Sequence, residues 1–319
     1  MTAIPNPVHT IAALIDRHHE EKEAAQPPRY HFGASQLGHH CERYLWLNFR
    51  WAVTQSLEGR MLRLFRRGQN EEEIISADLR AIGIEIVTHD SDGIQMRVDF
   101  GAHVSGSLDG VIRAGVPEAP EKPHVCEMKT HNKRSFDDLV KKGVKESKPQ
   151  HWAQMQAYML GTQIDRALYV AVCKDDDRLY TERVRLEAQQ AKRLVDRARR
   201  IATADRMPEP ISADPTWYQC KMCPAHDFCH VSHKATSISC RTCSHATPKE
   251  DSTWHCARWD AEIPQANQPD GCRAHVLHPD LVPWQLEGGD GINAVYHING
   301  ASVTNGEGGT SSWEIIAHA

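Results

Sequence analysis

The chain has 319 residues, 40% of them apolar, and a formal net charge of −5. That length and apolar content predict one large domain or two with a real core, and the acidic balance does not advertise a nucleic-acid binder, although local charge counts for more than the sum. No stretch approaches eighteen apolar residues and the N-terminal MTAIPNPVHTIAALIDRHH lacks both a basic region and a long apolar run, so neither a membrane span nor a signal peptide is expected and the expected location is cytoplasmic.

The first predicted element is a helix over 7–25, with apolar Val8, Ile11, Leu14 and Ile15, stopped by Pro27-Pro28. Next, Leu37, Tyr44, Leu45, Leu47 and Phe49 point to a mostly buried helix with Cys41 near its start. A long helix follows over 56–82, capped by Gly83. Within it Gly68 and Glu72 are four apart and share a face. A glycine there lets the helix approach a neighbour and aims the glutamate at it. Glu71 and Glu73 read as solvated. Strand-like IEIVT and IQMRVDF then lead into the stretch that organises the chain, residues 106–130. It reads as two strands, about 103–113 and 124–130. Asp109 lies in the first; Glu127 and Lys129, two apart in the second, point to one face. Two carboxylates and a lysine are poor core material, but they offer hard oxygen ligands for Mg²⁺ and a cation beside the water it activates. Glu-x-Lys alone says nothing, since Glu20-Glu21-Lys22 matches it inside a run of charges that reads as a solvated face.

The segment 129–148 is basic: Lys129, Lys133, Arg134, Lys141, Lys142, Lys145 and Lys148 stand against Asp137, Asp138 and Glu146. It reads as a helix from about Ser135, its lysines either near the site's substrate or simply solvated. Pro149 opens another helix that sets Gln154 and Tyr158 on one ridge. ALYVAVCK and RLYTERVRL are predicted strands, split by a turn at Asp175-Asp176-Asp177. A helix over 187–206, a Pro-rich connector, a cysteine-rich part over 218–272 and a Gly/Asn-rich tail with a hairpin near 294–303 complete the chain. Most of the twenty histidines read as surface residues. Ten cysteines in a chain expected to be cytoplasmic argue for metal rather than disulfides. Cys126 and Cys173 sit in apolar runs and read as small core residues. Cys220-x-x-Cys223-x₅-Cys229 leaves one place in a four-ligand site, for which Cys41 is the natural fourth. Cys240-x-x-Cys243, followed by Cys256 and Cys272, resembles a small zinc ribbon; His245, His255 or His275 could replace one thiolate, and Trp254 and Trp259 could pack over the knuckle.

The order of these elements, a helix with Gly68-x-x-x-Glu72, a strand with Asp109, a strand with Glu127-x-Lys129 and a helix with Gln154-x-x-x-Tyr158, resembles the PD-(D/E)XK nuclease superfamily over about residues 30–230. More narrowly it is similar to the branch holding the RecB nuclease domain, phage lambda exonuclease and the CRISPR-associated RecB-like nucleases. Phage and prophage exonuclease-like proteins share the run Ala153-Gln154-Met155-Gln156 and the run Lys129-Thr130-His131-Asn132. The resemblance implies an α/β (α+β), restriction-endonuclease-like fold: a mixed central sheet flanked by helices, here with a small cysteine-rich zinc-ribbon-like module. The division expected is an N-terminal helix over 1–29, a nuclease core with its cysteine cluster over 30–232, the module over 233–285 and the tail over 286–319.

By that resemblance Asp109, Glu127 and the carbonyl of Met128 hold Mg²⁺ (or Mn²⁺), with Glu72 a further acidic ligand. Lys129 positions or helps deprotonate the attacking water, and Gln154 and Tyr158 orient the lysine or the DNA backbone. One departure stands out. Many relatives carry a metal-ligating histidine just after the helix glycine; here it is Gln69, which leaves a second metal absent or loosely held. The resemblance also implies a [4Fe–4S] cluster on Cys41, Cys220, Cys223 and Cys229, with zinc the rival and His226 or His230 as substitute ligands. Zn²⁺ on Cys240, Cys243, Cys256 and Cys272 completes the expected cofactors. The function implied is a Mg²⁺-dependent DNA exonuclease of phage or prophage recombination or DNA repair, working with a single-strand annealing or recombination protein. A structure-specific or single-strand endonuclease on the same core is the alternative. A non-catalytic DNA-binding scaffold would be marked by loss of Asp109, Glu127 or Lys129, and all three are present.

Overall fold

The computed structural model describes residues 10–318; Val8, part of the first predicted helix, lies outside them. In chain order the elements are α1 (Ile11–Ala24), β1 (Phe32–Gly33), α2 (Glu42–Phe49), α3 (Gly59–Ala81), β2 (Ile86–Val87), β3 (Arg97–Asp99), β4 (Val104–Ser107), β5 (Gly110–Ile112), β6 (His124–His131), α4 (Lys133–Ser147), α5 (Pro149–Thr162), β7 (Arg166–Cys173), β8 (Leu179–Arg185), α6 (Ala188–Ala202) and α7 (Tyr218–Lys221). Then come β9 (Ala246–Pro248), β10 (Trp254–Cys256), β11 (Ala261–Glu262), β12 (Gln285–Gly289), β13 (Ala294–Ile298), β14 (Ala301–Asn305) and α8 (Ser312–His318).

The central sheet has the order β2-β5-β6-β7-β8. Its middle pair, β6 and β7, is parallel and the other pairings are antiparallel. A parallel pair needs a crossover, and α4 and α5 supply it. Alternation along β6 sends Cys126 and Met128 to one face, where they pack with Ile75 and Leu79 of α3. Val125 goes to the other face, into the cluster holding Met155, Tyr158 and Met159 of α5. Glu127, Lys129 and His131 share that second face by the same alternation. Cys126 and Cys173 are fully buried core thiols, as their apolar runs predict.

Local chemistry sets the helix ends. The Asn132 side chain accepts from Ser135 N at 2.8 Å and caps α4. Pro149 opens α5. Gly83, at φ +87°, ends α3 in the left-handed region that favours glycine. α6 buries Ala191, Val195, Ala198, Ile201 and Ala202, a stripe of helical period. α1 departs from expectation: Ile11, Leu14 and Ile15 are exposed, and the helix is tied to α3 by polar contacts, an Arg63–Asp16 ion pair and a 2.7 Å hydrogen bond from Gly59 N to Glu20 Oε1.

The predicted first strand of the central pair is broken at Leu108-Asp109. β4 belongs to a small sheet, β1-β4-β3, and β5 to the central one. The break is pinned from below. Tyr158 of α5 donates to Ser107 O at 2.6 Å, and a Cβ on Gly106 would sit 2.6 Å from both the Tyr158 hydroxyl and Ala34 Cβ. Gly106→Ala is therefore expected to cost about 2 kcal/mol through overpacking and to displace Asp109; thermal melting checks it.

The C-terminal third consists of two small antiparallel sheets, β11-β10-β9 and β12-β13-β14, with α8. β13 and β14 form the predicted hairpin, turning at Asn299-Gly300 with both φ positive. Trp254 is buried against Phe49, ring centroids 5.6 Å apart, in the cluster that also holds Cys243. Trp259 is exposed beneath Arg258. Arg241 is the main clasp. It is 1% exposed, donates to Phe49 O at 2.8 Å and Tyr30 O at 2.7 Å, and lies 3.9 Å above the Trp51 ring. Burial pulls its pKa down to about 9. Arg241→Ala would orphan both carbonyls and open a cavity, so a loss of about 3 kcal/mol is expected in denaturant melts.

Candidate active site

Asp109 arrives from the β4–β5 break, Glu127 and Lys129 from the middle of β6, and Glu72 from the middle of α3. The lysine sits at the centre. Lys129 Nζ is 2.6 Å from Glu127 Oε1, 2.8 Å from Asp109 Oδ2 and 2.9 Å from Met128 O. Asp109 Oδ2 also accepts from Met128 N at 2.8 Å, which fixes the loop to the strand. These are the oxygens expected to hold a metal, and here they converge on one ammonium.

Glu127 is wholly buried, and neither of its oxygens has a hydrogen-bond donor in good alignment. Burial raises its pKa, and Asp109 adds to the rise against the pull of Lys129. Burial and then Asp109 push Glu72 up to about 7. Burial opposes the Lys129 charge, but Glu127 and Asp109 outweigh it and hold its pKa well above the usual lysine value. Three carboxylates thus face one cation, an excess of hard negative charge in a shielded place. The donor set fits a divalent oxygen-seeking cation: carboxylate oxygens of Asp109 and Glu127 converging on one point, with the Met128 carbonyl beside them. Among the described residues no three His, Cys, Asp or Glu side chains are gathered into a ready-made metal site; at this site the lysine ammonium fills the point of convergence.

Two clefts open on either side. One, of about 360 Å³, is lined by Gly68, Glu71, Glu72, Lys129, Ser135, Lys148 and His151, among others. The second, of about 260 Å³, meets Gln69, Glu72, His89 and Asp109. Gly68 does not mediate a close helix contact, contrary to expectation: a Cβ there would meet nothing within 4 Å. Its bare backbone lies on the cleft wall. Gln154 and Tyr158 are joined, Nε2 to OH at 3.4 Å, yet Tyr158 serves the Ser107 carbonyl rather than the lysine. Along the basic segment, Lys133, Lys142 and Lys145 are paired with Asp137, Asp138 and Glu187.

The view of histidines as surface residues fails at several positions, since His103, His124, His131, His245, His275 and His278 are buried. His131 and His151 border the reaction centre. The signal was available: His131 follows Glu127 and Lys129 at period two, and His151 lies three residues before Gln154 on the same helix side. Lys148, Ser135 and His89 lie on the cleft walls for reasons of tertiary placement that no local pattern carries.

Cys41, Cys220, Cys223 and Cys229 line one cavity of about 330 Å³. Cys41 Sγ accepts from Tyr44 N at 3.5 Å. Burial pushes Cys229 up to about 11. In the second group Cys243 Sγ accepts from Val276 N at 3.4 Å, and burial pushes Cys240 up to about 11, with Cys272 and Cys256 adding to the rise. Of the candidate substitute histidines, His275 pairs with Ser312 Oγ at 2.8 Å, His245 with Ile292 O at 3.1 Å, His255 with Asp260 at 3.2 Å and His226 with Pro215 O at 3.3 Å, while His226 and His230 line the cavity of the first cysteine group. No helix among the described residues is long and apolar enough to cross a membrane.

Comparison with known proteins places this geometry. No curated protein matches the sequence. Among solved structures, the protein SSO0001 aligns at 15% identity over 69% of this chain and 96% of its own, with a TM-score of 0.40. The alkaline exonuclease LHK-Exo from Laribacter hongkongensis, in its complex with dAMP, aligns at 16% identity over 55% of this chain and 87% of its own, with a TM-score of 0.41. A phage-related exonuclease from Haemophilus somnus 129PT aligns at 17% identity over 43% and 70%, with a TM-score of 0.30. The family description that matches the sequence covers residues 6–230, and the chain belongs to the PD-(D/E)XK nuclease superfamily.

Proposed function

We propose that the protein is a Mg²⁺- or Mn²⁺-dependent deoxyribonuclease that degrades DNA from an end. The observation that carries the reading is the convergence of Asp109 Oδ2, Glu127 Oε1 and Met128 O on one cationic point, the Lys129 ammonium, in a place where Glu127 is wholly buried. Asp109, Glu127 and the Met128 carbonyl would hold the cation, with Glu72 as a further acidic ligand. When bound, such an ion makes a water nucleophilic near neutral pH and shields charge on the phosphorus. Lys129 orients that water and offsets charge building on the phosphate oxygens. Asp109, through Met128 N and Lys129 Nζ, keeps strand and lysine in register. Tyr158 holds the Asp109 loop from beneath through Ser107 O.

The exonuclease mode is supported by the runs Ala153-Gln154-Met155-Gln156 and Lys129-Thr130-His131-Asn132, shared with phage and prophage exonucleases. A phage or prophage recombination role, with a strand-annealing protein as partner, follows from the same runs. The cavity among Cys41, Cys220, Cys223 and Cys229 would take a [4Fe–4S] cluster, zinc being the rival, and Cys240, Cys243, Cys256 and Cys272 would take structural zinc. The test of the nuclease reading is end-labelled linear duplex beside closed circular duplex, with Mg²⁺ or Mn²⁺. Loss of the linear form alone is expected; cutting of the circle moves the reading to an endonuclease.

A further inference from the structure

Behind Lys129 four side chains form one hydrogen-bonded chain. Ser135 Oγ is 3.3 Å from His131 Nδ1, His131 Nε2 is 2.9 Å from the Tyr169 hydroxyl, and that hydroxyl is 2.8 Å from His151 Nδ1. Tyr169 is fully buried in β7. The two rings stack with centroids 5.7 Å apart. Both ends of the chain, Ser135 and His151, line the same 360 Å³ cleft beside Glu72 and Lys129.

A phenol has one proton, so it donates to one histidine and accepts from the other. If Tyr169 donates to His151 Nδ1, then His131 donates to Tyr169 and Ser135 donates to His131. His151 then carries its proton on Nε2, at the cleft wall. Run the other way, the chain ends with Ser135 as the donor. Either direction gives the cleft one neutral donor fixed by buried partners. Burial, then Lys148 and Lys129, hold the His131 pKa down to about 4. Burial, Lys129, His131 and Lys148 lower that of His151 further. The rings are therefore neutral, and the positive charge comes from the lysines. Lys148 is mostly buried, with its nearest carboxylate, Asp138, at 3.9 Å. Its Nζ donates to Ser147 Oγ at 2.5 Å and Ser147 O at 3.3 Å, so the charge of Lys148 meets neutral oxygens first, and such an ammonium beside a fixed neutral donor suits an anion.

We propose that this cleft is a phosphate subsite that takes the phosphodiester next to the one being cut, bound by Lys148 and by His151 Nε2–H, with Tyr169, His131 and Ser135 as positioning residues that fix the tautomer. The source of the phosphate, a nucleic-acid strand, rests on the nuclease reading. The open backbone at Gly68 leaves room on the opposite wall.

The test uses the full chain with a chelator present, so no cleavage intervenes. Thymidylyl-thymidine and inorganic phosphate are titrated calorimetrically. Thymidylyl-thymidine is expected to bind, and Lys148→Ala and His151→Ala are each expected to weaken it about tenfold, the loss of one hydrogen bond to a charged group. His151→Gln, which keeps an N–H donor, should retain most of the binding and guards against a folding defect in the alanine variant. Nitrogen-detected NMR of the imidazoles should show His151 moving to the Nε2–H form on binding, and Tyr169→Phe should abolish that preference. Asp109→Asn should bind thymidylyl-thymidine as the wild type does while failing to cut DNA, so loss of the nuclease reading and loss of the subsite are separable. Wild-type affinity in both alanine variants, or binding of inorganic phosphate without thymidylyl-thymidine, overturns the proposal.

Discussion

Lys129→Ala is expected to lower DNA cleavage by about 10³-fold while the protein stays folded. The lysine touches Asp109 Oδ2, Glu127 Oε1 and Met128 O, three of the oxygens proposed to hold the cation, so its loss removes the charge that offsets the developing phosphorane and the group that fixes the water. Removing one partner of a buried pair can cost several kcal/mol. Here clefts open on both sides of the site, so water can enter and the orphaned carboxylates can take up protons. Melting should therefore shift little. Asp109→Ala should match the loss of activity, because Asp109 Oδ2 serves Met128 N and Lys129 Nζ at once. Lys129→Arg should not rescue: a planar guanidinium cannot place one nitrogen among three converging oxygens. Circular dichroism beside the cleavage rate checks these outcomes, and a Lys129→Ala protein cutting at the wild-type rate would remove the lysine from the mechanism.

Periodicity alone made part of this site legible. Spacing of two set Glu127 and Lys129 on one face, and the contact between them is 2.6 Å. The same rule extends to His131, and a helical turn reaches from Gln154 back to His151, yet the general reading of most histidines as surface residues passes over both. Strand pattern predicts Asp109 inside a continuous strand. Its real position, in a break between strands of two sheets, depends on Tyr158 reaching Ser107 from fifty residues away. Gly68 misled for the opposite reason: a local rule about glycine on a helix face assumes a protein neighbour, and this face looks onto a cleft. The merging of Trp254 and Arg241 into the nuclease core is likewise a long-range fact, since nothing in either residue's own segment names Phe49 or Tyr30.

Cys220→Ser is expected to strip metal from the first cysteine group and to lower the melting temperature by about 10 °C. The geometry gives the reason. Cys41 caps α2 through Tyr44 N, while Cys220, Cys223 and Cys229 lie beyond α6, nearly the whole nuclease core later. A site joining them closes a loop that contains every side chain proposed for catalysis, and closing a long loop removes the most freedom from the unfolded chain. Burial first, and then the neighbouring thiols of the group, raise Cys220, Cys223 and Cys229, so without a metal they keep their protons and contribute little. Anaerobically prepared wild-type protein should hold iron and acid-labile sulfide in equal amounts, and Cys220→Ser should lose most of both. Cys173→Ala, a core thiol outside either group, should lose stability through its small cavity while keeping its iron. Zinc in place of iron would leave the loop-closing argument intact and replace the cluster; a metal-free wild-type protein of unchanged stability would defeat both.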